Sequence, residues 1–252
     1  MTAAWVTAGL IFVRCNGFLL TLPVFSTIGM PRHVVVMIGF ALTALIAPLT
    51  PVIEAEPTMS VLVLGVVGEL FLGASLGLVV RAVFSSLTVA AEVLGMQTAM
   101  GMAASLDPIM RNSQAPLGIV ASWLAGLIFL SGNLHLHLLV LVSESFTMVP
   151  PGHLGGIKPL TSALVDATEV AIVLGFQLSG PLVAMVFLVN VFIGILSRLA
   201  PKMNVFFSVG MTLNSVVGIW LFGIALPWLL SAHDARLRLA VRTVAELVLA
   251  VR

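Results

Sequence analysis

The residues of this 252-residue chain that could carry chemistry are few, and most lie inside apolar runs. Gly73-Ala74-Ser75-Leu76-Gly77 matches G-x-S-x-G, the turn that presents a nucleophilic serine in some hydrolases. That turn must join a strand to a helix to expose the hydroxyl. Here it lies within a helical pattern, and His33, His135, His137, His153 and His233 all fall in or near expected loops. A serine hydrolase is therefore not expected. His135 and His137 are two apart and point to different faces of a helix, whereas helical metal pairs need i, i+4. They read as histidines hydrogen-bonding at a helix start. Asp166 and Glu169 could mimic a coupling-ion site, but carboxylates in the early turns of a helix suit its dipole without a ligand. There is no HExxH and no Cys/His cluster, so no metal site is expected.

Arg14, Glu69, Arg81 and Glu92 are harder to set aside. An ionisable group at membrane depth costs several kcal/mol unless it meets a partner or a water-filled cavity. Arg81 and Glu92 are eleven apart, on one helix face but about three turns from each other. Their partners must lie on other helices or other chains. That these runs belong to a membrane follows from composition: 60% of the residues are hydrophobic and 8% charged, against about 25% charged in a soluble domain. The net charge of +1 carries no basic patch for nucleic acid. The single cysteine, Cys15, excludes a disulfide within the chain. No basic region precedes the first apolar stretch and Arg14 interrupts it, so that stretch is read as part of the mature protein.

The elements that must position these groups follow from the apolar runs and their punctuation. Residues 4–28 form a first segment with Arg14, Asn16 and Pro23, and Val34 to Ile53 a second. From Met59 the pattern runs to about Ala104, roughly 69 Å as one helix against a hydrocarbon core of about 30 Å. A break near Ser85-Ser86 is one solution, and a helix standing outside the bilayer the other. Ser105 to Pro116 is a polar loop, and Leu117 to Leu141 a further segment with a wet centre at Gly132 to His137. Thr161 or Ser162 can cap the next helix, which Ser179-Gly180-Pro181 should kink or break. Pro181 to Leu196, a basic turn at Arg198, Pro201 and Lys202, and Phe206 to Leu230 read as a hairpin ending near Pro227-Trp228. The tail from Ser231, with Arg236, Arg238, Arg242 and Arg252, has the pattern of an interfacial helix. The basic turn and the basic tail lie at opposite ends of one apolar segment. A simple span would leave one of them outside; a hairpin packed on protein would not.

Two features of the long segment suggest contact with protein. Gly65, Glu69, Gly73, Gly77 and Arg81 recur every four residues, a helix-packing ridge of small residues with charges along it. Beyond it, Gly95, Met96, Gln97, Met100, Gly101 and Met102 combine adaptable thioethers with a glycine-loosened backbone.

The run from Glu92 to Pro108, EVLGMQTAMGMAASLDP, resembles the E-x-x-G-x-Q…D-P stretch of FliR, the R subunit family of the flagellar type III secretion export gate. Three further places agree in order: Pro23 with Pro31-Arg32 and Ala47-Pro48; Asn133 and His135 with Phe146 and Pro150; and Asn190 with Arg198, Pro201 and Asn204. The resemblance implies an all-α, multi-helix integral membrane protein. It has a P-like helical region (1–179), a Q-like helical hairpin (180–232) with its tip at Arg198, Pro201 and Lys202, and an amphipathic basic tail (233–252). It implies a structural subunit, not an enzyme and with no cofactor, in the bacterial inner membrane and flagellar basal body, much of the assembly standing on the periplasmic side. Its partners would be the P-type and Q-type subunits FliP and FliQ, with FlhB, and the exported unfolded proteins. The segment 95–116, including Gly95, Met96, Gln97, Met100, Gly101, Met102, Asp107 and Pro108, would be a channel plug. The equivalent subunit of a virulence injectisome would share this pattern. A secondary transporter with a site near Glu69 and Asp166 would require inverted repeats, and none is visible.

Overall fold

Lipid offers a backbone no hydrogen-bond partner, so long runs of Ala, Leu, Val and Ile must satisfy their own N–H and C=O groups as helices. The structure, a computed structural model, describes residues 2–27, 29–53, 58–98, 100, 115–152, 157–199 and 210–250. Its elements are α1 (Thr2–Thr21), α2 (Pro23–Thr27), α3 (Arg32–Ile46) with a 3₁₀ turn at Ala47–Leu49, and α4 (Met59–Gln97). They continue as α5 (Pro116–Ser131), α6 (Leu134–Met148), α7 (Ile157–Leu199) and α8 (Met211–Ala250). No strand occurs among the described residues, so this is an all-α protein. Ala3–Thr21, Arg32–Leu49, Met59–Gln97, Leu164–Leu199 and Met211–Glu246 are each long and apolar enough to cross a membrane.

Several boundaries differ from the sequence expectations. Helix α4 is not broken at Ser85-Ser86, because two serines cost a helix only about half a kcal/mol each. It has 39 residues, about 58 Å of helix. The helix α7 runs through Ser179-Gly180-Pro181; one missing N–H is tolerable where the rest of the ladder has no competing solvent. Thr161 and Ser162 lie inside α7, which begins at Ile157, and do not cap it. Likewise α8 passes through Pro227, and the tail is its continuation, with Leu237, Val241 and Val244 buried within the chain.

The run from Leu117 to Leu141, by contrast, is two helices. Between α5 and α6 the chain bends by 65° at Gly132-Asn133. Asn133 adopts the left-handed conformation, φ 54°, which Asn tolerates better than most residues. Its carbonyl accepts from the Leu136 amide at 3.0 Å and lies 3.1 Å from His137 Nδ1.

Two compact units interleave along the chain. One comprises Met1–Val83, Phe129–Val170 and Ala235–Arg252, the other Phe84–Ile128 and Ala171–Asp234. In the first, Gly73 lies against the backbone carbonyl of Arg14, and Gly77 against Phe18 O and Thr21 Oγ1, so a Cβ at either would collide with α1. The ridge therefore meets a helix of its own chain. Gly65 faces the turn at Gly152, whereas Arg81 is exposed, so the buried seam stops at Gly77. On the other side of α1, Gly39 of α3 abuts the Asn16 side chain, and Phe12 meets Phe40 edge to face with centroids 6.4 Å apart.

Because Gly73 brings α1 to van der Waals distance one turn from Glu69, the two helices are close enough for Arg14 and Glu69 to pair. Arg14 is 0% exposed and Glu69 2%. Arg14 Nε donates to Glu69 Oε2 and Nη2 to Glu69 Oε1 at 3.0 Å. Nη1 donates to Ser145 O and Oγ at 3.0 and 3.1 Å, and Nη2 to Val149 O at 2.9 Å. A guanidinium has five N–H donors, and this set occupies all of them. The Phe146 ring lies 4.2 Å from Cζ, a cation–π contact in a dry site. Glu69 Oε1 also accepts the Gly152 amide at 2.9 Å, which the turn presents because Gly152 takes φ +84°. Of the two alternatives, other helices or other chains, Arg14 and Glu69 take the first and satisfy each other across α1 and α4.

Removing one member strands the other, at a cost of about 3–5 kcal/mol. Arg14→Met or Glu69→Leu alone should therefore lower the thermal midpoint of the detergent-solubilised protein sharply, and the double variant less than the sum. Strict additivity would mean that the pair is not coupled. Separately, Gly73→Leu should push α1 from α4 and abolish recovery of folded protein, whereas Arg81→Leu should not. Equal recovery of the two would remove the seam's role.

Candidate functional site

The second unit contains the ends of the segment that the sequence singles out. Helix α4 stops at Gln97, where Thr98 folds back: its Oγ1 donates to Gly95 O at 3.0 Å and its amide to the same oxygen at 3.3 Å. A helix end leaves carbonyls without intrahelical partners, and Thr98 fills one. The chain re-enters at Ala115, and α5 follows with Pro116, whose missing N–H suits a first helical position.

These two ends meet. A Cβ on Gly95 would strike Ala115 Cβ, and Glu92 Oε2 accepts the Ala115 amide at 3.1 Å. The carboxylate lies against Gly118, at the N-terminus of α5, where the first amides and the helix dipole favour negative charge. So Glu92, whose partner the sequence leaves open between other helices and other chains, is a helix-terminus anchor within its own chain. The two flanks of the segment, the end of α4 and the start of α5, thus meet at one point, its neck. At the neck Gly95 and Thr98 are buried, while Met96 is 77% exposed and Gln97 is exposed. Met100 is half-buried. Gly101, Met102, Asp107 and Pro108 lie outside the described residues, as do Pro201 and Lys202. At the hairpin, Arg198 is exposed on the last turn of α7.

The hairpin helices meet this neck. Asn214 Nδ2 of α8 donates to Gln97 O at 3.2 Å and to Asn190 Oδ1 of α7 at 2.8 Å, and Gly218 lies against the Thr98 side chain. Gly175 of α7 abuts Val89. Asn214, Ala115 and Thr98 are not among the contact residues expected from the sequence. For Asn214 a signal exists: an amide in an apolar hairpin helix costs free energy unless it is hydrogen-bonded. Ala115 and Thr98 act through backbone and packing, which no residue type announces.

The residues weighed for catalysis do other things. Ser75 is buried and donates to Phe71 O at 2.7 Å within its own helix, which is not the posture of a nucleophile. Asp166 and Glu169 are exposed. Among the described residues, no three His, Cys, Asp or Glu side chains come together as metal ligands.

Residues 5–239 match the family described as "Bacterial export proteins, family 1". The chain is similar to proteins named flagellar biosynthetic protein FliR. It is 30% identical over 220 residues to that of Escherichia coli K12, covering 85% of this chain and 82% of the relative. The Pectobacterium carotovorum protein is 29% identical over 217 residues, with 86% and 82% covered. That of Caulobacter vibrioides is 26% identical over 228 residues, with 88% and 90% covered. With its apolar spans and its match across nearly the whole length, the chain belongs to the FliR family of bacterial export proteins, membrane components of flagellar biosynthesis and not enzymes.

Proposed function

We propose that this chain is a structural subunit of the flagellar type III export gate and that the segment 95–116 is its channel plug. In this reading it co-assembles with P-type and Q-type subunits (FliP, FliQ) and meets FlhB in the inner membrane at the flagellar basal body. Much of the assembly stands on the periplasmic side, and unfolded proteins pass through it. Residues 1–179 act as a P-like region, 180–232 as a Q-like hairpin and 233–252 as the basic tail.

The observation that carries the plug is the closed neck. A channel must stop ions yet yield to a polypeptide, so its stopper has to be compliant and tethered. Here a methionine-bearing excursion starts and ends at one anchored point made by Glu92, Gly95 and Ala115. Unbranched thioethers can conform to an irregular bore and be displaced without breaking a fixed geometry. Support for neighbouring subunits comes from the hairpin. Phe187, Phe192, Trp220 and Trp228 are exposed on α7 and α8, an apolar surface that lipid or neighbouring helices must cover.

Replacing Met96, Met100 and Met102 together by Ala should leave assembly intact and raise the small-ion conductance of reconstituted complexes several-fold. Asp107→Ala should act differently, loosening the loop while leaving its thioethers in place. Normal assembly with unchanged conductance in the methionine variant would mean that the segment is packing and that other subunits build the seal.

A further inference from the structure

The contact between Asn214 and the end of α4 has a polarity that can be tested. Gln97 O is a backbone carbonyl and can only accept, so the Asn214 group facing it must be the amide NH₂. That same nitrogen donates to Asn190 Oδ1 at 2.8 Å, which orients the second amide as an acceptor. Asn214 thus joins three helices through one donor group: α8, which carries it, α7 through Asn190, and α4 through its last residue. Its own Oδ1 is buried with no hydrogen-bond partner among the described residues. A leucine at this place would bury no such oxygen, so general packing does not explain the amide. One turn further along α8, Gly218 receives the Thr98 side chain, and Thr98 in turn holds Gly95 O. The two contacts fix both the height and the rotation of the α4 terminus on the hairpin, beside the exposed Met96.

We propose that Asn214 is a positioning residue for the seal: its donated hydrogen bonds hold the neck of the 95–116 segment against the hairpin. This rests on the reading of that segment as a plug.

The test exchanges donor for acceptor at constant shape. Asn214→Asp replaces the NH₂ by a carboxylate oxygen facing two acceptors, whereas Asn190→Asp keeps an acceptor where one already is. Complexes carrying each variant are purified, matched for yield and thermal midpoint, and reconstituted for conductance. The expected result is a several-fold rise in small-ion conductance for Asn214→Asp and a value within twofold of wild type for Asn190→Asp. Equal leaks in both would indict buried charge instead of the lost donor, and wild-type conductance in Asn214→Asp would remove the role; either overturns the proposal. If Asn214→Asp fails to assemble, Asn214→Ser, too short to span both acceptors, takes its place with the same expected leak. Failure of both to assemble makes Asn214 a folding residue and also overturns it. The triple methionine variant runs beside them. If it leaks and the Asn214 variants do not, the positioning role fails alone, whereas no leak from it sinks the plug reading.

Discussion

A guanidinium placed where water cannot follow must find five acceptors, and much of the first compact unit is arranged around that requirement. Arg14 takes two from Glu69, two from Ser145 and one from Val149, so α1, α4, α6 and the residue after α6 have to converge. Glu69 uses its spare lone pair on the Gly152 amide, which draws in the following turn as well. Replacing such a cluster by apolar residues of similar volume is often neutral or stabilising. Its value lies in specificity. Helices that are apolar on most faces could pack in many rotations, and an unmet guanidinium penalises nearly all of them.

Small residues make the convergence possible. Gly73 lets α4 approach α1 at the Arg14 backbone, so the backbone contact and the ion pair are two parts of one interface. The second unit applies the same combination at lower charge. Gly95 and Gly118 let α4 and α5 approach, and Glu92 then reaches the Ala115 amide. In each place a glycine sets the distance and a carboxylate sets the register.

How much of this can be read from residues alone divides along a physical line. Apolar length and charge content announce membrane helices, and a repeat of small residues at steps of four announces a close helix contact. Which helix fills that contact is set by three-dimensional complementarity, so Arg14 and Glu69 stand out as costly without being matched to each other. Boundaries fail where local propensity is weak against context. Ser85-Ser86, Pro181 and Pro227 look like stops, yet α4, α7 and α8 run through them, since a bilayer penalises frayed backbone more than water does. Gly132-Asn133 is a true break because the left-handed Asn133 takes the chain out of helical geometry. At the candidate site, Glu92, Gly95 and Met96 are conspicuous by type. Ala115, whose amide and methyl close the neck, is invisible to any reading by type.

The spacing of the Arg14 partners has a consequence for the order of events during synthesis. Glu69 lies 55 residues downstream, and Ser145 and Val149 lie 131 and 135 residues downstream. At roughly 5–20 residues per second, the last of these is made about 7–27 s after Arg14 itself. Throughout that interval α1 carries a cation whose set of partners is incomplete, first without Glu69 and then without Ser145 and Val149. It must wait with its charge drawn toward the interface or held by whatever inserts it. The native seat of the first helix is therefore completed only when the chain has grown past its middle, so α1, the earliest element to be synthesised, settles no sooner than α6.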